Sequence, residues 1–461
     1  MENDTITAIS TPEGEGGIGI VRISGNNAIK IAKTVFKPFK KSFDMSKAKT
    51  FSLHYGWVID PVDKRKVDEV ILSIMLKPHS YTREDVVEFN CHGGFIPLKE
   101  VLQIVIKSGA RIAQPGEFTK RAFLNGRIDL VQAESVIEII RAKTDKALRY
   151  AFSSLEGKFT EYIVHLKDLI AEASSYFEAL IEFPEQEIDI DIGEGLKFLE
   201  GSATQVESLW KAVSGSRFLR EHANIVVVGK RNVGKSSLVN AILKKDRCIV
   251  TPVPGTTRDI VRDIADIKGI PVWISDTAGL GATENIVEKE GISRAKTEIK
   301  GADLVLFVLD ASSLIDDEDR HVLKHLLNAS VLYVFNKIDI EKKEVYNTSI
   351  IDGHSYIKVS ALEGTGLEEL ESSIAGILMG EKENLNSSQG EYFLASIRQS
   401  SAIEEVKNIL QEAITLIKNR MNIELVCEQL RYCIKKINEL KGEGITDDVL
   451  DRIFKNFCIG K

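Results

Sequence analysis

Lys235 and Ser236 close the string Gly229-Lys230-Arg231-Asn232-Val233-Gly234-Lys235-Ser236, and these residue types at this spacing can hold a polyphosphate. Gly229 and Gly234 allow a backbone that wraps an anion closely. Lys235 offers a point charge to the outer phosphates, and the Ser236 hydroxyl suits Mg²⁺. Asn232, Val233 and Ser237 complete the loop residues expected against the nucleotide. The elements that must position them are legible on either side. Ile225 to Val228 is a short β-branched run that reads as a buried strand, and Ser237 to Leu243 reads as a helix. Strand, loop and helix in that order aim backbone N–H groups and the positive end of a helix at one point, where a phosphate is stabilised.

Further segments in the right order identify the base and the metal. Asp276-Thr277-Ala278-Gly279 follows the strand-like run Pro271 to Ile274, so Asp276 can hold the metal through water and Gly279 can give its N–H to a γ-phosphate. Asn336-Lys337-Ile338-Asp339 follows the apolar run Val331 to Phe335. The Asp339 carboxylate can accept both the N1–H and the 2-amino N–H of guanine, and adenine has neither donor there. Ser360-Ala361-Leu362 would support that loop and donate a backbone N–H to the guanine O6. The nucleotide is therefore read as GTP, and an ATPase is disfavoured. Between phosphate loop and metal aspartate lies Thr251-Pro252-Val253-Pro254-Gly255-Thr256-Thr257, where GTPases place a switch; Thr257 is expected to join Ser236 on Mg²⁺. Leu280 stands where Ras-like enzymes carry a water-orienting glutamine, and a leucine cannot hold water.

With 461 residues the chain has material for two to four domains. A hydrophobic share of 43% and a charged share of 28% describe a soluble globular protein rather than a disordered one. Its net charge of −8 argues against a broad basic footprint, so any RNA contact should be local or delegated to a partner. No apolar run approaches a membrane span and the start Met1-Glu2-Asn3-Asp4 lacks a basic leader, so a cytoplasmic location is expected. Cys91, Cys248, Cys427, Cys433 and Cys458 show no paired spacing, which speaks against a zinc site or disulfide scaffold.

Along the chain, residues 1–119 alternate β-branched runs with glycine turns and helical stretches, an α+β domain. Residues 120–216 change to long helices, broken at Pro184 in an acidic segment. The GTPase unit occupies 217–380, a polar linker follows near 382–390, and helical periodicity resumes to 461. The economical reading is a multidomain α+β and α/β protein: an N-terminal α+β domain, an all-helical domain made of 120–216 plus 381–461, and a Ras-like P-loop GTPase domain inserted into it.

Other strings lie outside the GTPase unit: Gly19-Ile20-Val21-Arg22-Ile23-Ser24-Gly25, Tyr81 to Glu88, Cys91-His92-Gly93-Gly94, Pro115 to Gly126, and Phe457-Cys458-Ile459-Gly460-Lys461. With the central GTPase they make the whole chain resemble the MnmE (TrmE) family of tRNA-modifying GTPases. The resemblance implies a folate-binding and dimerising N-terminal domain whose contacts, to a 5-formyl or methylene tetrahydrofolate, fall on Arg22, Glu88, Arg127 and Lys461. The family commonly has Lys where this chain has Arg127, a change of donor geometry. It also implies that Glu288 positions the attacking water and that K⁺ is held by Asn232 with Thr251, Val253 and Thr256. Cys458 becomes a catalytic or near-catalytic thiol. The implied partners are a second copy of the chain, tRNA, and an FAD-binding protein of the MnmG (GidA) type in a heterotetramer or larger. The implied reaction adds an aminomethyl or carboxymethylaminomethyl group to C5 of the wobble uridine, position 34.

Read alone, these residues leave alternatives open. Arg22, Glu88 and Arg127 could be surface ion pairs, Asn232 a tolerated loop residue, and Glu288 part of a solvated face with Glu284, Lys289 and Glu290. Cys458 reads as a small hydrophobe on a terminal helix opened by Thr446, and His92 with its glycines as a turn. A stand-alone regulatory or ribosome-assembly switch is the rival function.

Overall fold

The structure is a computed structural model that describes residues 4–12, 14–182, 192–245, 264–276, 298–324, 326, 329–340, 355–379, 393–419 and 422–461. The chain divides into two compact units, one reaching Ile137 and including Asn438–Lys461, the other Glu138–Ile437.

In the first unit, strands β1 (Ile6–Ile9), β2 (Gly16–Ser24), β3 (Phe36–Pro38), β4 (Ser52–Ile59), β5 (Lys66–Met75), β6 (Val86–Gly93) and β7 (Arg111–Ile112) form one sheet in the order β3-β4-β5-β6-β2-β1-β7. Only the β1–β7 pair is parallel. Side chains alternate across a strand, so Val70, Leu72 and Ile74 point with Val87, Phe89 and Val21 to one face. Helices Ala28–Val35 and Phe95–Lys107 cover that face with Ile31, Val35, Leu98 and Val101. The opposite face carries Arg22 and Glu88, direct partners across β2 and β6. The same face exposes Leu53, Tyr55 and Ile71 on β4 and β5, at 69%, 45% and 46%.

Helices Glu117–Leu124 and Leu130–Arg141 follow, and the C-terminal helix Asp447–Phe454 seals Ala122, Leu130 and Ala133 with Leu450 and Phe454. That last helix does open at Thr446, but it ends before Cys458, correcting the terminal-helix expectation. Its final N–H groups shorten to i−3 partners, Asn456 to Ile453 and Phe457 to Phe454, so the chain leaves the helix axis. Buried Phe457 rests on Phe454, 5.2 Å between ring centroids, and Cys458 emerges exposed beyond it. His92 sits near the end of β6, held at its backbone N–H and ring Nδ1 by Asp68 of β5, and its carbonyl accepts the Gly94 N–H at 2.9 Å, so it opens the tight turn expected of it and its glycines.

In the second unit, β8 (Ala223–Val228), β9 (Ile264–Ile267), β10 (Ile270–Asp276), β11 (Leu304–Asp310), β12 (Val331–Asn336) and β13 (Tyr356–Lys358) form a sheet ordered β13-β12-β11-β8-β10-β9. All its pairings are parallel except β9 with β10. Strands buried on both faces read as unbroken apolar runs, which is why Val305 to Leu309 and Ile225 to Val228 show no alternation. The long helices Lys158–Glu182, Ile192–Gly215 and Ile397–Lys418 belong to the same unit, as does Ile423–Lys441 up to Ile437. Helices from before and after the GTPase fold meet there: Lys407 lies 3.5 Å over the Trp210 ring and Lys418 pairs with Glu200 at 2.8 Å. This is the expected class, an α+β sheet domain, a helical domain and a P-loop GTPase fold within the helical sequence. The break at Pro184 and the linker 382–390 lie outside the described residues.

Candidate functional site

β8 ends at Val228, and helix Lys235–Lys245 starts at the loop's own lysine. Lys235 is 8% exposed and its Nζ donates to the carbonyls of Gly229 and Lys230, both at 2.9 Å, so the phosphate-binding cation is held inside the loop. Asn232 adopts φ +63°, a left-handed conformation that asparagine tolerates. Gly234 has φ +92°, and a Cβ there would stand 2.3 Å from Asn336 Nδ2, so no side chain fits. That crowding comes from the bonds Asn336 makes: its Nδ2 donates to Val233 O at 2.9 Å, and its Oδ1 accepts from Ala361 N at 3.0 Å. One buried amide thereby fastens the phosphate loop, the base-reading loop and the Ser360-Ala361-Leu362 loop together.

Ser360, fully buried, accepts from Glu363 N and closes its own turn, while Leu362 is exposed. Asp339 follows Lys337 at the mouth, half-buried. Lys337 reaches the end of β11, donating to Asp310 at 2.7 Å. Burial alone would raise the Asp310 carboxyl, but Lys337 and Ser312 hold it below the usual carboxylate range. The loop lysine Lys230 points to the same region: its Nζ lies 2.9 Å from Asp316 and 3.0 Å from Asp319, at the start of helix Asp317–Leu323.

The metal and switch expectations are only partly visible. Asp276 ends β10, one strand from β8. Thr251, Pro252, Val253, Pro254, Gly255, Thr256, Thr257, Thr277, Ala278, Gly279 and Glu288 lie outside the described residues, as does the Asp276 side chain.

A second cluster forms in the first unit. Arg22 and Glu88 side chains are 15% and 17% exposed and meet at 2.7 Å. Arg22 also donates to Gly460 O at 3.0 Å, although 438 residues separate them. Gly460 makes the approach possible with φ +89°; a Cβ there would lie 2.5 Å from Ile9 O. Lys461 is therefore drawn in beside the cluster. Burial and the Arg22 charge push its ammonium pKa down, against the opposing pull of Cys458 and Glu88.

Two aromatic walls complete this cluster, Phe118 and Tyr81, with ring centroids 5.5 and 5.8 Å from the Arg22 guanidinium carbon. Arg127 lies 4.7 Å over the Tyr81 ring from its own position on the exposed rim. Sequence reading missed both rings, as well as Thr119, which shares a 2.8 Å hydrogen bond with the Tyr81 hydroxyl. Behind them Arg121 bonds Asp4, Glu84 and Glu117, fixing helix Glu117–Leu124 against the loop that carries Tyr81. Burial would raise the Glu117 carboxyl, but Arg111, the Gln114 N–H and Arg121 hold it low. A spacing-based search could have found Tyr81 and Phe118, because both sit inside the strings already singled out.

Residues 5–127 match the family model described as "GTP-binding protein TrmE N-terminus", and residues 130–458 match "MnmE helical domain". The tRNA modification GTPase MnmE of Thermoanaerobacter pseudethanolicus is 44% identical over 466 residues, covering 100% of both chains. That of Carboxydothermus hydrogenoformans is 44% identical over 469 residues, again covering 100% of both. A crystal structure of Aquifex aeolicus Era bound to GDP and AlF4− is 28% identical, covering 40% of this chain and 66% of that one, with a TM-score of 0.29. Full-length identity at this level, over a chain with a built nucleotide loop and a tail returned to its N-terminal sheet, means that the chain belongs to the MnmE family of tRNA modification GTPases.

Proposed function

We propose that this chain hydrolyses GTP with Mg²⁺ and acts on tRNA. With an FAD-binding partner of the MnmG type, it installs an aminomethyl or carboxymethylaminomethyl group on C5 of the wobble uridine at position 34. The observation that carries this beyond GTP hydrolysis is the Arg22 hydrogen bond to Gly460 O, which holds the last residues against the Arg22–Glu88 pair. A tetrahydrofolate fits the residues present. The Glu88 carboxylate can accept from pterin N–H groups, the Tyr81 and Phe118 rings offer apolar walls, and Arg127 and Lys461 can meet its carboxylates. When bound, folate would supply the one-carbon unit. Cys458, exposed next to Lys461, is the thiol within reach of that chemistry.

Ser236 at the helix start, with Thr257, would hold Mg²⁺, and Asp276 would act through water. Asn232, with Thr251, Val253 and Thr256, would hold K⁺, since an amide oxygen and carbonyls are suitable hard ligands. Glu288 would orient the water. The working domains are 1–119, 120–216 with 381–461, and 217–380. A second copy is expected on the apolar sheet face bearing Leu53, Tyr55 and Ile71. No described helix is long and apolar enough to cross a membrane, and a cytoplasmic location is part of the proposal.

Two measurements test this reading. Cys458→Ser should abolish tRNA modification in the reconstituted two-protein assay while GTP hydrolysis stays within about twofold of the parent. A stand-alone switch has no use for that thiol, so unchanged modification argues for the rival reading. Hydrolysis should rise about tenfold or more in K⁺ relative to Na⁺, as charge stabilisation in a phosphoryl transfer requires; equal rates in the two salts would remove the Asn232 assignment.

A further inference from the structure

The segment between β11 and helix Asp317–Leu323 receives a lysine from each nucleotide loop. Lys337 of the base-reading loop ends on Asp310, and Lys230 of the phosphate loop ends on Asp316 and Asp319. Asp316 and Asp319 form a reciprocal capping box in which each carboxylate accepts the other's backbone N–H, so their positions are set by the helix. Lys230 is 14% exposed at its side chain and Asp319 only 2%. The second Asp319 oxygen, Oδ1, is buried without a partner among the described residues, which makes Lys230 the main compensation there for that charge. At the other end of the same residue, the Lys230 carbonyl accepts from Lys235 Nζ at 2.9 Å.

We propose that Lys230 is a positioning residue for GTP binding: its side chain anchors the first turn of the phosphate loop to a helix cap, and its carbonyl thereby fixes Lys235. The ammonium of Lys235 is aimed by two carbonyls, those of Gly229 and Lys230, and the second moves whenever the Lys230 peptide swings. The sequence pattern treats this slot as variable, and nothing in the phosphate-loop motif calls for a cation there. The geometry gives it one task, a strut running away from the ligand. Lys235 reaches the β- and γ-phosphates and GDP lacks the second, so loss of the strut should weaken GTP more than GDP and slow the chemical step as well.

The test uses the full-length protein, with fluorescent GTP and GDP analogues for affinity and steady-state hydrolysis for KM and kcat. Lys230→Ala should weaken GTP about tenfold and GDP less, raise KM, lower kcat by more than about twofold, and lower Tm. Lys230→Arg should restore both affinity and Tm, since a guanidinium can reach the same two carboxylates. The discriminating variant is Lys230→Ala combined with Asp319→Asn, which removes the stranded buried charge but keeps an oxygen to accept the Asp316 N–H. It should recover Tm while KM stays raised. Recovery of KM along with Tm, or a Lys230→Ala protein with unchanged KM, would reduce Lys230 to a stabilising ion pair and overturn the proposal.

Discussion

Asp339→Asn should lower kcat/KM for GTP at least about 100-fold and move the preference to xanthosine triphosphate. The carboxylate accepts two guanine N–H groups, and a hydrogen bond to a charged acceptor is worth about 1.5–3 kcal/mol, so turning the 2-amino contact into a repulsion and leaving N1–H a neutral acceptor amounts to two decades or more. Xanthine presents a carbonyl where guanine has its 2-amino group, and the asparagine amide can donate to that carbonyl while its oxygen still accepts N1–H. The surrounding loops should survive the change. Asp339 is half-buried at the mouth, whereas Asn336, Lys337 and Ser360 carry the internal bonds that shape the site. Competition of GTP, ATP and XTP against a fluorescent guanine nucleotide reads the outcome. A variant that keeps its GTP preference would mean another group reads the base.

What was legible in the sequence is what depends on neighbours in the chain. The strand, loop and helix around Lys235, the apolar runs of β11 and β12, and the helical periodicity on both sides of the GTPase unit are local patterns, and all appear as elements. Pairings made by the fold left no such trace. Lys230 meets Asp316 and Asp319 across 86 and 89 positions, and Arg22 meets Glu88 across 66, through strand register alone. The Arg22 link to Gly460 is longer still, and without the family resemblance nothing in the two strings joins them. Thr446, Asp447 and Asp448 make a good helix start, which in sequence puts Cys458 on that helix. The stop is weaker in sequence, since it comes from Phe457 turning onto Phe454 rather than from a proline or glycine directly after the helix. Arg121 and its acidic partners were legible as charges only; that they brace the Tyr81 loop against Phe118's helix is a product of tertiary packing.

Arg22→Ala should weaken binding of 5-formyltetrahydrofolate at least about 100-fold while GTP hydrolysis stays within about twofold. Three losses coincide at this one side chain. Glu88, 17% exposed, would lose the donor at 2.7 Å that orients its carboxylate. The Gly460 carbonyl would lose its partner, freeing the tail that brings Cys458 and Lys461 to the cluster. The Phe118 and Tyr81 rings would lose the cation between them. Removing one partner of a largely buried ion pair costs about 3–5 kcal/mol, less where water screens it, and about 3 kcal/mol already corresponds to two decades in affinity. Arg22→Lys is a sharper control than the alanine. It keeps the charge beside Glu88 but lacks the planar fork that reaches Glu88 and Gly460 together, so it should hold stability better than folate. Isothermal titration of the full-length variants, with Tm recorded on the same samples, separates the two effects. Folate affinity near the parent's in Arg22→Ala would mean that the pterin sits elsewhere, and the tail's return to the N-terminal sheet would then be a packing feature of this unit.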